Sequence, residues 1–270
     1  MSKPSDIENS FLTTLVDLRD VLDKILVVGG WCPFLYAKYL WEIPTEDIPR
    51  TTDIDFGVWE TGSVRYDPTV YARLLSAGYE KEIYSSSDSN QVDFLSTAKD
   101  DKLKIEFITS FYVSDDTLQR FLGGQMACHR IEGFEILLQA RPLVLDIKAQ
   151  NRILKVRCIP PAVYLYHKSL TFIARSGTEK RDKDMLYIYY VLRYSPAVTD
   201  LIKDVMEFRK NEEFKLFQNN VLEYFGTEDS PGYRALNPFL SPWMRADKIG
   251  PSIKSAFAPL LVGIKRTKAK

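Results

Sequence analysis

The sequence predicts an α/β (α+β) protein in which strands and helices interleave through residues 1–158 and helices alone fill residues 159–270. Three observations carry this expectation. The runs ILVV at 25–28 and KLKIEFIT at 102–109 have the length and β-branched or apolar content of strands and lie beside stretches of helical period. From Gly133 to about Arg157, FEILL, PLVLDI and ILKVRC read as further strands that complete a sheet. After Ile159-Pro160-Pro161 the texture changes to AVYLYHKSLTFIAR, EKRDKDMLYIYYVLRY and AVTDLIKDVMEFRKN, three helical stretches with Gly177 and Pro196 between them.

In chain order, Ser5 and Glu8 have capping-box spacing, and Phe11, Leu15, Leu18 and Leu22 recur at helical steps, so the opening segment is an amphipathic helix. ILVV follows as a strand, then Gly29-Gly30 as a turn, then WCPFLYAKYL as a helix. Pro44 and Pro49 make EIPTEDIPRT a loop, and Asp53 to Trp59 alternates as a strand. In YDPTVYARLLSAGY, Asp67 is the expected cap, Pro68 the first helical position and Gly78 the stop. NQVDFLS and KLKIEFIT, joined by the charged turn AKDD, predict a hairpin. Four prolines make Pro231 to Pro251 loop-like; a last helix is expected over Ser252–Gly263, with KRTKAK as a basic tail.

Composition bounds the function classes. A chain of 270 residues, 45% apolar and 13% aromatic, can bury a substantial core. Lys plus Arg equal Asp plus Glu at 36 each, so no global field marks a nucleic-acid or membrane binder, although a local basic groove stays compatible with this balance. MSKPSDIENS lacks the apolar core of a signal peptide, and no segment approaches the roughly 18 uninterrupted apolar residues of a membrane span. The expectation is a cytoplasmic protein with no membrane partner. Cys32, Cys128 and Cys158 are widely separated and read as reduced, packing thiols; two histidines, His129 and His167, are too few for a histidine-rich metal site.

The chemistry concentrates in a few residues. Asp53 and Asp55 are one residue apart on a predicted strand, so both carboxylates project from one face while Ile54 and Phe56 point to the other. Two like charges so placed raise at least one pKa unless a cation lies between them, and hard oxygen donors suit Mg²⁺ or Mn²⁺. A solvated strand face is the plainer alternative. Gly29-Gly30, between a strand and a helix, lets backbone N–H groups approach a phosphate; a tight turn alone would use the same pair. Glu106, an acid between Ile105 and Phe107, is the preferred third carboxylate, with Asp93 in QVDFLS as its competitor.

Gly29-Gly30, Thr52-Asp53-Ile54-Asp55 and Ile105-Glu106-Phe107 together resemble the hG(G/S)…DhDh…h(D/E)h signature of the nucleotidyltransferase superfamily. IPPAVYLYHKSL followed by EKRDKDMLYIYYVL is similar to the VPxPxxYxxxKL…KxxKD pattern of its bacterial toxin-like, abortive-infection-type branch. The resemblance implies a mixed sheet flanked by helices, followed by a helical C-terminal domain. It implies metal-dependent transfer of NMP from an NTP to a hydroxyl acceptor, with tRNA or a protein favoured over a small molecule. Asp53, Asp55 and Glu106 would be the catalytic acids and the ligands of Mg²⁺ (or Mn²⁺). Gly29, Gly30, Arg50, Thr52, Lys168, Lys183 and Asp184 would bind the nucleotide, the two lysines reaching the triphosphate from the helical domain and Asp184 orienting one of them or the acceptor. Arg50 either contacts phosphate or caps its loop. An antitoxin protein is the further partner this branch implies. Because fold alone does not establish turnover, a non-catalytic nucleotide-binding or interaction protein is the alternative function.

Overall fold

The computed structural model describes residues 4–59, 66–85, 90–95, 103–123, 126 and 128–268. The chain forms two compact units, Met1–Leu35 with Pro49–Pro160, and Tyr36–Ile48 with Pro161–Lys270.

The first unit opens with α1 (Pro4–Asp17), whose Phe11 and Leu15 are fully buried. Pro4 takes the first helical position, where its missing N–H costs nothing. The expected cap Ser5 therefore lies inside the helix, and Glu8, expected to close a capping box, pairs with Arg50 at 3.4 Å. β1 (Ile25–Val28) is buried along its whole length and runs into a 3₁₀ turn, Gly29–Trp31, then α2 (Cys32–Leu35). Trp31 stacks on Phe11 with ring centroids 4.0 Å apart, which anchors this turn to α1. After β2 (Asp53–Val58) come α3 (Val70–Ser76), β3 (Glu80–Ser85), β4 (Asn90–Leu95) and β5 (Lys104–Thr109). The unit closes with α4 (Asp115–Leu122), β6 (His129–Arg130), α5 (Glu135–Gln139), β7 (Leu143–Ala149) and β8 (Arg152–Cys158).

The strands form one mixed sheet in the order β3-β4-β5-β2-β1-β8-β7, with β6 also on β5. The β2–β5 and β1–β8 pairs are parallel, whereas β1–β2, β4–β5 and β7–β8 are antiparallel. The expected NQVDFLS/KLKIEFIT hairpin is the β4–β5 pair; its AKDD turn lies outside the described residues. Beneath β2 and β5, Ile54, Phe56, Ile105 and Phe107 are almost completely buried, and the Phe56 and Phe107 rings stack at 5.7 Å.

Three local expectations are corrected. The cap of α3 is Thr69, whose hydroxyl accepts the Ala72 N–H at 3.3 Å, and the Asp67–Pro68 pair precedes it. Thr69→Ala is expected to lower stability by about 1 kcal/mol in urea unfolding, the ordinary worth of such a cap. FEILL forms α5 and not a strand; Phe134 and Leu137 are buried, and Phe134 stands beside Gly57 of β2. A short apolar run fits either structure until its packing partners are known. The Pro231–Pro251 region is mostly helical, as described next.

The second unit contains α6 (Pro161–Thr171), α7 (Thr178–Tyr194), α8 (Val198–Met206), α9 (Phe214–Phe225), α10 (Pro231–Leu240) and α11 (Ala246–Lys268). Pro231 begins α10 directly after Ser230, while Tyr233, Leu236 and Leu240 supply a buried face at helical spacing. The same logic carries α11 through Pro251 and Pro259: Ile249, Ile253, Phe257, Leu260 and Ile264 are all buried, and packing outweighs the lost backbone hydrogen bonds. Phe225 stacks on Phe257 at 3.7 Å and Tyr166 on Phe208 at 4.4 Å.

Compared with the expected domains 1–158 and 159–270, the division falls after Pro160, and Tyr36–Ile48 clusters with the second unit. Tyr36 is fully buried there, edge-on to Tyr164 of α6 at 6.0 Å. Tyr36–Leu40 continues α2 as a π-helical turn, so this helical run begins in one unit and ends in the other.

Candidate active site

The site is built where the end of β1 meets the starts of β2 and β5. The parallel register sets Asp53 beside Lys104 and Asp55 beside Glu106. Side-by-side residues in a sheet share a face, so the three acids and Lys104 project together, opposite the buried Ile54, Phe56, Ile105 and Phe107. All four are half-buried. The backbone prepares this arrangement: the Asp53 N–H donates to Thr51 Oγ1 at 3.3 Å, and the Lys104 N–H donates to the Thr52 carbonyl at 2.8 Å. Thr52 contributes through that carbonyl and its own side chain is exposed.

On the other flank β1 runs antiparallel to β2 with Val28 opposite Asp55, which brings Gly29 onto the Asp55 carboxylate. Gly29 has φ +68°, and a Cβ built there would lie 2.7 Å from Asp55 Cγ and closer still to Oδ2. Glycine is required at this position on both counts, conformation and space. Gly30 is buried in the same turn.

Glu106 forms an ion pair with Lys104, two residues earlier on the same strand face. This lysine was not singled out from the sequence. Its signal was present in the period-two spacing of Lys104 and Glu106, but a lysine among apolar residues also reads as a solvated strand position. Among the described residues, no group of three or more His, Cys, Asp or Glu side chains is placed to hold a metal ion.

Of the remaining candidates, Arg50 belongs to the first unit and Lys168, Lys183 and Asp184 to the second. Arg50 pairs with Glu8, both largely buried, and its guanidinium lies 4.7 Å from the Phe34 ring centroid. The rival third acid, Asp93, stands opposite Glu82 on the outer strands β4 and β3, while Glu106 neighbours Asp55 directly. In the second unit Lys168 on α6 and Asp184 on α7 are buried and bonded at 2.6 Å, and Arg175 Nε donates to the second Asp184 oxygen at 2.9 Å. Burial opposes ionisation of Asp184, but the charges and hydrogen bonds of Lys168 and Arg175 outweigh it and hold its carboxyl below the ordinary carboxylate value. Neighbouring His167 is pushed down to about 3 by burial, reinforced by the Lys168 ammonium, so its imidazole is neutral at ordinary pH. Lys183 is half-buried beside Asp184 on α7.

The cysteines behave as packing residues. Cys32 and Cys158 are buried and Cys128 half-buried, all three unbridged; burial pushes the Cys128 thiol up to about 12 and Cys158 higher still, away from the reactive thiolate form. Among the described residues no helix is long and apolar enough to cross a membrane.

Residues 10–207 match the Nucleotidyltransferase family, and the chain belongs to it. No curated protein matches the sequence. Among solved structures, the chain is similar to an antigenic nucleotidyltransferase-like protein from Paracoccidioides brasiliensis, at 13% identity and a TM-score of 0.41, covering 78% of this chain and 92% of that one.

Proposed function

We propose that the protein is a metal-dependent nucleotidyltransferase that moves NMP from an NTP to a hydroxyl on tRNA or a protein. The observation that carries this reading is the register that puts Asp55 beside Glu106, with the Gly29 backbone against the Asp55 carboxylate. The carboxylate oxygens of Asp53, Asp55 and Glu106 are hard donors of the kind that suit a divalent cation, and the Gly29 backbone lies against Asp55. Asp53 and Asp55 would hold Mg²⁺ or Mn²⁺, with Glu106 as the third ligand. Bound there, the metal supplies charge stabilisation at the triphosphate and the attacking oxygen.

The chain's own residues do the rest. Backbone N–H groups at Gly29 and Gly30 would bind phosphate oxygens, and Glu106 would help activate the acceptor hydroxyl by taking its proton. The hydroxyl oxygen bonds to the α-phosphorus, the bond from that phosphorus to the β-phosphate oxygen breaks, and pyrophosphate leaves with the electron pair. On this reading Arg50 contributes positive charge to nucleotide binding, while Lys168 is held by Asp184 within the second unit. An antitoxin protein is the regulatory partner in this proposal.

The test is incubation with each α-³²P-labelled NTP, Mg²⁺, total RNA and cell lysate, alongside Asp53→Ala and Asp55→Ala. Transfer of label by the unmutated protein is expected, with a loss of at least about a thousandfold in either variant while the melting curve is retained, since each removes charge held for the transition state. Equal labelling by the variants would refute the reading. Mg²⁺-dependent NTP binding without any labelled product would favour the non-catalytic alternative.

A further inference from the structure

We infer that the protein forms a homodimer through the open edge of β7, two copies of this strand pairing antiparallel about Ile147. The dimer is independent of the proposed function, since β8 and β1 lie between β7 and the strands that carry the acids. β7 ends the sheet and, among the described residues, pairs only with β8. A two-residue hairpin turn at Gln150 and Asn151, with φ +44° and +62°, fixes that pairing. Such a turn makes Ala149 and Arg152 a hydrogen-bonded pair, so the backbone groups of Ala149, Ile147 and Leu145 turn to β8. Those of Lys148, Asp146 and Val144 turn to the open edge, where a further strand can take them up. The edge is accessible: Val144, Asp146 and Lys148 are exposed and alternate with the buried Leu145, Ile147 and Ala149.

Charge selects the occupant of this edge. In a two-fold antiparallel pair centred on Ile147, Asp146 of each copy faces Lys148 of the other, Leu145 faces Ala149, and Ile147 meets its own counterpart. Asp146 and Lys148 both have their backbone groups turned outward, so the ladder hydrogen bonds close in this register. Asp146 Oδ1 accepts from Lys155 Nζ of β8 at 3.0 Å, so the charges alternate across the joined sheet: Lys155, Asp146, then Lys148 of the other copy. Centring the pair one residue earlier or later sets Asp146 against Asp146 or Lys148 against Lys148, and like charges directly opposite disfavour both registers. The spacing of opposite charges thus makes the strand complementary to itself, and the partner that fits is a second copy of this chain.

Sedimentation velocity of the full chain tests the dimer. Association is expected at about 100 μM, with dissociation on dilution to about 1 μM, as an interface of one strand pair implies. Asp146→Lys and Lys148→Asp should each weaken it at least about tenfold, because each sets like charges opposite one another on both sides of the two-fold axis. An equimolar mixture of the two variants should recover the dimer, since the lysines of one then face the aspartates of the other. The double variant Asp146→Lys/Lys148→Asp, which inverts both charges, should recover it as well. Melting curves check that each variant keeps the fold, and Asp146→Arg or Lys148→Glu replaces one that does not. A chain that stays monomeric at about 100 μM would overturn the inference and leave the charges as protection of an open edge. A dimer that neither single variant weakens, or single variants that stay apart on mixing, would overturn it too. Nucleotidyl transfer has no part in the readout, so failure of the proposed function leaves the test intact.

Discussion

Asp184→Ala is expected to destabilise the protein by about 3–5 kcal/mol, the usual result of stripping one partner from a buried ion pair. The substitution leaves the Lys168 ammonium buried without the carboxylate that now accepts its hydrogen bond at 2.6 Å, and it removes the anchor of Arg175. Urea unfolding at pH 7 measures the loss. Adding Lys168→Met should recover a large part of it, because the damage comes from the stranded charge more than from the absent attraction. Full retention of stability in Asp184→Ala would show that Lys168 finds another partner or reaches water.

The same cluster sets the pH dependence. Asp184 has a folded pKa below its unfolded value, so its contribution is complete above the ordinary carboxylate range, about pH 4, and disappears as the pH falls through the depressed folded value. His167 titrates near 6.5 when unfolded and at about 3 when folded, so the unfolded chain binds the extra proton between those values. Stability therefore falls on acidification from about pH 6.5, at up to roughly 1.4 kcal/mol per pH unit from this group alone. A His167→Gln variant should show a flatter profile between pH 6.5 and 4.5, above the range in which Asp184 titrates.

Gly29→Ala is the second large effect, and it falls on activity as well as stability. A methyl group at Gly29 occupies the space of the Asp55 carboxylate, at 2.7 Å from its Cγ, and φ +68° disfavours any L side chain. The backbone strain alone is worth about 1–2 kcal/mol. Displacing Asp55 should cost, in addition, at least a hundredfold in nucleotidyl transfer, since small misplacements of a catalytic group have effects of that size. Gly133→Ala provides the comparison: its φ is +74°, but nothing lies within 4 Å of its added Cβ, so it should share the strain and keep transfer. Transfer and thermal melting measured on both variants separate conformation from contact; equal activity would remove Gly29 from the site.

The shared face of the candidate acids was legible because it depends on local period and spacing. Asp53 and Asp55 share a face in any extended strand, whatever its neighbours, and their resemblance to a known signature singled out Glu106 as well. Lys104 was readable only as a residue two before Glu106; that it neighbours Asp53 depends on the register between two strands distant in the chain. FEILL at 134–138 was misread because five apolar-rich residues contain too little period to separate a turn of helix from a strand. The Pro231–Pro251 region was misread because proline's local penalty was weighed without the buried faces of α10 and α11 that offset it.

By itself, then, the sequence determined the interleaved and helical halves, the acids on one strand face and the glycine turn ahead of them. These follow from periodicities and backbone preferences that act within a few residues. The tertiary structure alone decided that Tyr36–Ile48 clusters with the helical unit, that Gly29 abuts Asp55, that Lys104 engages Glu106, and that Lys168 and Asp184 are bound together inside the helices. Each of these joins groups through strand register or close packing, and the free energies involved, steric contact and Coulomb attraction, depend on distances that no local pattern contains.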